Sequence, residues 1–125
     1  MATDEITLTL PRGPEYQRVA HLVLSGLAVR LDLTIENLED LELALDAVLA
    51  RTDPSLGDIT MKLAVRDVEL VARIGPLSTR LLDDIDRDTG DGELGIRRVL
   101  DSTVDDVHVD GDWVQLTKKV RGRVG

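Results

Sequence analysis

The side chains best suited to covalent or metal chemistry are few and scattered in this chain. There is no Cys, which removes disulfides, thiolate metal sites and cysteine nucleophiles together. The only histidines, His21 and His108, fall in different predicted elements, so neither a transition-metal site nor a His-driven triad is expected. Ser25, Ser55, Ser78 and Ser102 lack the G-x-S-x-G setting of a nucleophile elbow. Asp84, Asp86 and Asp88 alternate as calcium-loop ligands do. Thr89, however, stands where that loop needs Gly, and Gly95 where it needs a bidentate Glu. A solvated lid over 83–92 is the better expectation. Glycines remain as candidate ligand contacts: Gly75 closing a strand, and Gly92 and Gly95 ahead of a helix whose N-terminal amides could receive an anion. Arg97 and Arg98 with Lys118 and Lys119 could form a small basic patch.

The elements that must position these residues fit one domain. At 125 residues the chain has room for a single domain over 1–125, with a core over about 5–120 and a loose tail over 121–125. Its apolar share is 42%, dominated by 21 Leu and 14 Val with no Phe and only 2% aromatics. The core is therefore aliphatic, and base stacking has almost no rings to use. A formal charge of -9 repels phosphate backbones and anionic lipid, so neither nucleic acid nor membrane is an expected partner. No apolar run reaches the roughly 18 residues of a membrane helix, and the N-terminus lacks signal-peptide character. A cytoplasmic location is the expectation.

Alternation of Ile6, Leu8 and Leu10 predicts a first strand, stopped by Pro11, Gly13 and Pro14. Pro14 suits a first helical position, and Val19, Leu22, Val23, Gly26 and Leu27 recur at helical spacing, predicting a helix over about 14–31. Asp32 and Leu33 break it. Thr34 can cap a second helix whose buried stripe is Leu38, Leu41, Leu45, Val48 and Leu49. A loop over 52–57 leads to a hairpin, Ile59 to Val65 and Val68 to Ile74. Short helices are predicted over 77–85 and 94–100, and a closing hairpin pairs 104–109 with 113–120. Grouped helices over hairpins make an α+β two-layer sandwich, a mixed and mostly antiparallel sheet covered on one face.

Three segments, in order, resemble the anti-sigma-factor serine kinases of bacterial partner-switching systems, which have the gyrase and histidine-kinase type of ATPase fold. They are HLVLSGLAVRLDLT running into NLEDLELALDAVLA, then VELVARIGPL, then GDGELGIRRVLDSTVDDVHV with GDWVQLTKKV. Together they span about 6–120. The resemblance implies ATP and Mg2+ as cofactors, and as partners a sigma factor and an antagonist carrying the acceptor serine. It also implies a homodimer, for which no unmatched apolar stripe in the sequence locates a contact.

The boxes that carry the family's chemistry are altered. Its second helix carries E-x-x-x-N, with Glu as general base and Asn as Mg2+ ligand. Here those positions are Ala47 and Arg51; Ala takes no proton, and a guanidinium has no acceptor for a cation. Asp46, one residue back, is the candidate displaced base. The D-x-G-x-G adenine box reads Arg73, Ile74, Gly75, Pro76, Leu77, which puts a donor-only group where an acceptor is needed. Gly75, Gly92 and Gly95 are the cofactor-binding candidates, and only if nucleotide binding survives. The expectation is an anti-sigma-factor-like protein that works by binding, with no cofactor, no catalytic residue and no metal. The alternative is an active ATP-dependent serine kinase. The resemblance also places Arg51 and Arg73 toward one former nucleotide cleft, where together they could hold an anion.

Overall fold

The computed structural model describes residues 4–66, 68–87 and 95–120. Strand β1 (Asp4–Leu10) is followed by a 3-10 turn at Pro14–Tyr16, then α1 (Gln17–Leu31) and α2 (Ile35–Leu49). Pro14 opens a 3-10 turn where the first turn of the helix was expected, and the α-helix proper begins at Gln17. Helix α1 ends where Asp32 adopts the left-handed conformation (φ 58°), and Leu33 N–H reaches back to Ala28 O at 2.9 Å in a Schellman closure. Thr34 then caps α2, its Oγ1 accepting from Asn37 N–H at 3.0 Å. The loop that follows contains a 3-10 turn, Pro54–Leu56.

Strands β2 (Ile59–Arg66) and β3 (Glu69–Gly75) form the predicted hairpin. Helices α3 (Thr79–Asp86) and α4 (Ile96–Thr103) precede β4 (Asp106–Asp110) and β5 (Trp113–Lys119). The last helix starts later and runs further than expected, because Thr103 Oγ1 bonds the carbonyls of Val99 and Leu100 and extends the final turn. Val104 is consequently the helix C-cap and not a strand residue. Gly111 (φ 61°) takes the first place of the two-residue β4–β5 turn, where a type II′ turn demands glycine.

The sheet order is β1-β2-β3-β5-β4. Every pairing among the described residues is antiparallel, where a mixed and mostly antiparallel sheet was expected. The reason lies in α1 and α2: two helices carry the chain across and back, so β2 enters at the end where β1 finished and runs against it. A single crossover helix would have made the pair parallel.

One face of the sheet is covered by the helices. Met61, Leu63, Leu70, Ile74, Val114 and Leu116 interlock there with Leu24, Leu41, Leu45, Val48, Ile85 and Leu100. At about 25 cal/mol per Å² of apolar surface removed from water, such burial dominates the folding energy. A part-buried ion pair joins the layers. Lys118 in β5, only 13% exposed, donates to Asp40 Oδ2 of α2 and to Thr103 O of α4, both at 3.0 Å.

The outer helix surface departs from expectation. Leu22 (71%) and Val29 (84%) on α1 stand exposed, as do Ile35 (73%) and Leu43 (55%) on α2. Helical spacing puts Leu22 and Val29 on one stripe, with Gly26 between them and open space beyond it. An unmatched apolar stripe therefore exists; its spacing was masked by the equally regular buried stripe beside it. Among the described residues, no helix is long and apolar enough to cross a membrane.

Candidate functional site

Near the end of the molecule where β1, α2 and β3 finish lie three of the residues singled out by sequence, Ala47, Arg51 and Gly75. Ala47 is buried on the inner face of α2, in the same apolar core as Leu77, Leu81 and Ile96. Arg51 is exposed at the end of α2, and its Nη1 donates to Ala47 O at 2.8 Å. Adjacent helical residues point about 100° apart, so Asp46 faces elsewhere. Its Oδ1 lies 2.7 Å from His21 Nε2 on α1, with Glu42 Oε2 3.7 Å from His21 Nδ1. The carboxylate proposed as a displaced base thus joins the two helices and does not share Ala47's inward face.

Gly75 ends β3 and is followed by a cis peptide to Pro76. A Cβ on Gly75 would lie 2.5 Å from Trp113 Cδ2, because the indole lies flat across the glycine. This glycine has a packing reason that the sequence did not disclose. Leu77 N–H donates to Asp112 O at 2.8 Å and carries the chain back over the core. Gly95 is the N-cap of α4, in extended conformation, with Arg98 and Val99 N–H directed at its carbonyl. Gly92, Asp88 and the tail 121–125 lie outside the described residues, as does half of the expected lid, 88–92.

Arg73 is not where the box alignment placed it. Strand β3 alternates, with Leu70, Ala72 and Ile74 in the core, so Arg73 projects from the opposite, helix-free face. There it lies 5.8 Å from the Trp113 ring centre and 3.6 Å from Asp110 Oδ2. Arg51 and Arg73 are separated by the sheet and do not converge on one cleft. The basic patch also dissolves. Arg97 bonds Asp101 and Ile85 O, Lys118 is mostly covered and paired with Asp40 on the helix side, and Lys119 lies on the other face of β5. Asp84 and Asp86 sit exposed on helix α3. Among the described residues no group of three His, Cys, Asp or Glu side chains is arranged to hold a metal ion.

One residue of this region escaped sequence reasoning. Arg12, in the turn after β1, donates through Nε to Gly57 O and through Nη2 to Asp58 O (3.2 Å) and Pro76 O (2.7 Å). A single guanidinium fork thereby ties the turn after β3 to the loop before β2. Its Nη1 is buried without a partner, beside a shallow pocket lined by Leu10, Gly13, Tyr16, Gln17, Leu49 and Thr52. Burial pulls the Arg12 pKa below its ordinary value, while Asp53 and Asp58 oppose that shift. Only the local Pro-Arg-Gly run marks the residue, and that pattern announces a turn and nothing more.

The chain is 32% identical to the serine-protein kinase RsbW of Listeria monocytogenes serotype 4a over 76% of its own length and 63% of the relative's. The same name and coverage hold for a Listeria innocua protein. A Bacillus licheniformis serine-protein kinase RsbW is 25% identical over 94% of this chain and 86% of its own. The chain spans slightly less than two thirds of the length of the Listeria relatives it matches. No protein-family model matches it.

Proposed function

We propose, for a chain that belongs to the family of the RsbW serine-protein kinases, that it acts as an anti-sigma-factor-like regulator in partner switching, by protein binding with ATP use weakened or lost. The observation that carries this reading is the state of the second-helix box. Ala47 is buried and aliphatic where a base is needed, and Arg51 spends a donor on Ala47 O where a metal-ligand oxygen is needed. Proton abstraction and Mg2+ ligation both require oxygen or nitrogen lone pairs, and neither side chain offers one. The partners in this reading are a sigma factor and its antagonist. The exposed apolar pair Leu22 and Val29 on one face of α1, with Ile35 and Leu43 exposed on α2, supports a protein-binding role, since exposed apolar surface marks interaction sites.

Thermal unfolding with ATP and Mg2+ tests the reading. A ligand at 100 times its Kd stabilises by about 2.7 kcal/mol, so a shift of several degrees at millimolar nucleotide would refute lost binding. None is expected. Ala47→Glu with Arg51→Asn is expected to recover nucleotide affinity, and adding Arg73→Asp is expected to contribute nothing, because residue 73 faces away from the helices. The second reading, an active kinase, is favoured by the name its relatives carry; phosphate transfer to a serine-bearing antagonist would establish it. A homodimer remains part of the proposal through the family alone, and sedimentation of wild type beside Leu22→Gln with Val29→Gln tests both the dimer and its surface.

A further inference from the structure

The helix-free face of the sheet carries an arrangement that the family reading does not use. Lys62 of β2 and Arg73 of β3 are direct cross-strand partners. Like charges so placed repel, and in a chain with 24 acidic against 15 basic residues a carboxylate at either position would have removed the conflict. Both cations instead lie against one indole, Lys62 Nζ at 5.6 Å and Arg73 Cζ at 5.8 Å from the Trp113 ring centre. The ring rests on Gly75, the only residue type that leaves it room there. Cation–π contact holds the two charges in place without neutralising them.

Their remaining donors are unspent. Among the described residues Lys62 makes no ion pair. Among the described residues Arg73 pairs only with Asp110, at 3.6 Å, a side chain 67% exposed, and its Nε is buried with no hydrogen-bond partner. An unsatisfied buried donor is costly and marks a place where an acceptor is missing. Gln115 and His108 continue the same row across β5 and β4, adding groups able to donate hydrogen bonds. The charges on this face balance, Lys62, Arg66, Arg73 and Lys119 against Glu5, Glu69, Asp106 and Asp110. The net charge of -9 therefore resides elsewhere, and the acids of this face other than Glu69 lie on the edge strands, which leaves a positive centre.

We propose that Lys62 and Arg73, braced by Trp113, form a recognition site for carboxylates presented by an acidic protein segment. Free phosphate shares the oxyanion chemistry. The flat face, though, offers donors in a row across strands and no enclosure, and small ligands bind where concave walls bury them. An extended acidic segment lying across the strands meets Lys62, Arg73 and Gln115 in turn. The protein's overall charge opposes such a ligand at long range and within about one Debye length yields to the local pair. This site stands on its own geometry and does not depend on the kinase-family reading.

Trp113 is the only tryptophan, so its emission reports on the site directly. The full chain is titrated with a glutamate-rich decapeptide and, separately, with inorganic phosphate. The expected result is a saturable change with the peptide, with affinity about tenfold lower in Lys62→Gln and in Arg73→Gln and largely retained in Arg73→Lys. Phosphate alone is expected to bind far more weakly. No saturable change with the peptide, or wild-type affinity in both Gln variants, overturns the proposal. Phosphate binding as tightly as the peptide overturns the choice of ligand. Far-UV circular dichroism confirms that each variant is folded.

Discussion

Replacing Gly75 by Ala separates two reasons for that glycine, packing and ligand approach. The added methyl would lie 2.5 Å from Trp113 Cδ2, 2.8 Å from Cγ and 2.9 Å from Cε2. Carbon atoms settle at about 3.5–4.0 Å, so the indole must withdraw by roughly 1 Å, which pulls it from Lys62 and Arg73 as well. Overpacking of this kind costs about 1–3 kcal/mol. Against it stands a gain of about 0.5–1 kcal/mol from replacing glycine within a strand. The net expectation is a loss of about 1–2 kcal/mol, a fall of roughly 4–8 °C in melting temperature for a domain of this size. In a Trp113→Ala background the clash is gone, and the same substitution is expected to stabilise by the strand term alone. Urea denaturation of the four proteins, followed by far-UV circular dichroism, gives a coupling near 2 kcal/mol. If Gly75→Ala costs the same with and without the indole, the ring is not what requires the glycine, and the packing argument fails.

Other outcomes follow from single contacts. Lys118→Met strands Asp40 and the Thr103 carbonyl, and because Asp40 is part-exposed the expected loss is about 2 kcal/mol by urea denaturation; an unchanged midpoint would remove the ion pair from the list of stabilising contacts. Thr34→Ala deletes the α2 cap and is expected to cost about 1 kcal/mol. Asp53 has its pKa lowered, first by the Ser55 backbone N–H, then by the Ser55 hydroxyl, with Arg12 adding to both. A depressed carboxylate pKa adds stability above the unfolded value of about 3.8 and loses it as pH falls through the folded value. The stability gap between wild type and Asp53→Ala is therefore expected to be full at pH 7 and to shrink below about pH 4; a gap independent of pH contradicts this.

Local features were readable from residue order. The caps at Thr34 and Asp32, the hairpin over residues 59–75 and the Gly111 turn each depend on neighbours a few positions away, and each stands close to where periodicity and turn chemistry put it. Arg73 was misplaced although the information was present. Alternation of Leu70, Ala72 and Ile74 already turns Arg73 away from the core, and a box alignment read without that period sent it to the wrong face. The same rule separates Lys118 from Lys119. The antiparallel sheet was half legible, since counting helices between β1 and β2 decides the direction. Arg12 and the Gly75–Trp113 contact were not legible, because their partners lie far along the chain and leave no periodic trace.

The guanidinium of Arg12 makes two loops into one object. Segment 57–58 and residue 76 hang from the same fork, so neither can be lengthened, swapped or shifted alone. Surface loops ordinarily accept insertions, yet a residue spliced in between 53 and 58 would tug on the turn that follows β3 and on the glycine beneath the indole. Grafting experiments on this scaffold would therefore have to exchange both loops together with their shared anchor.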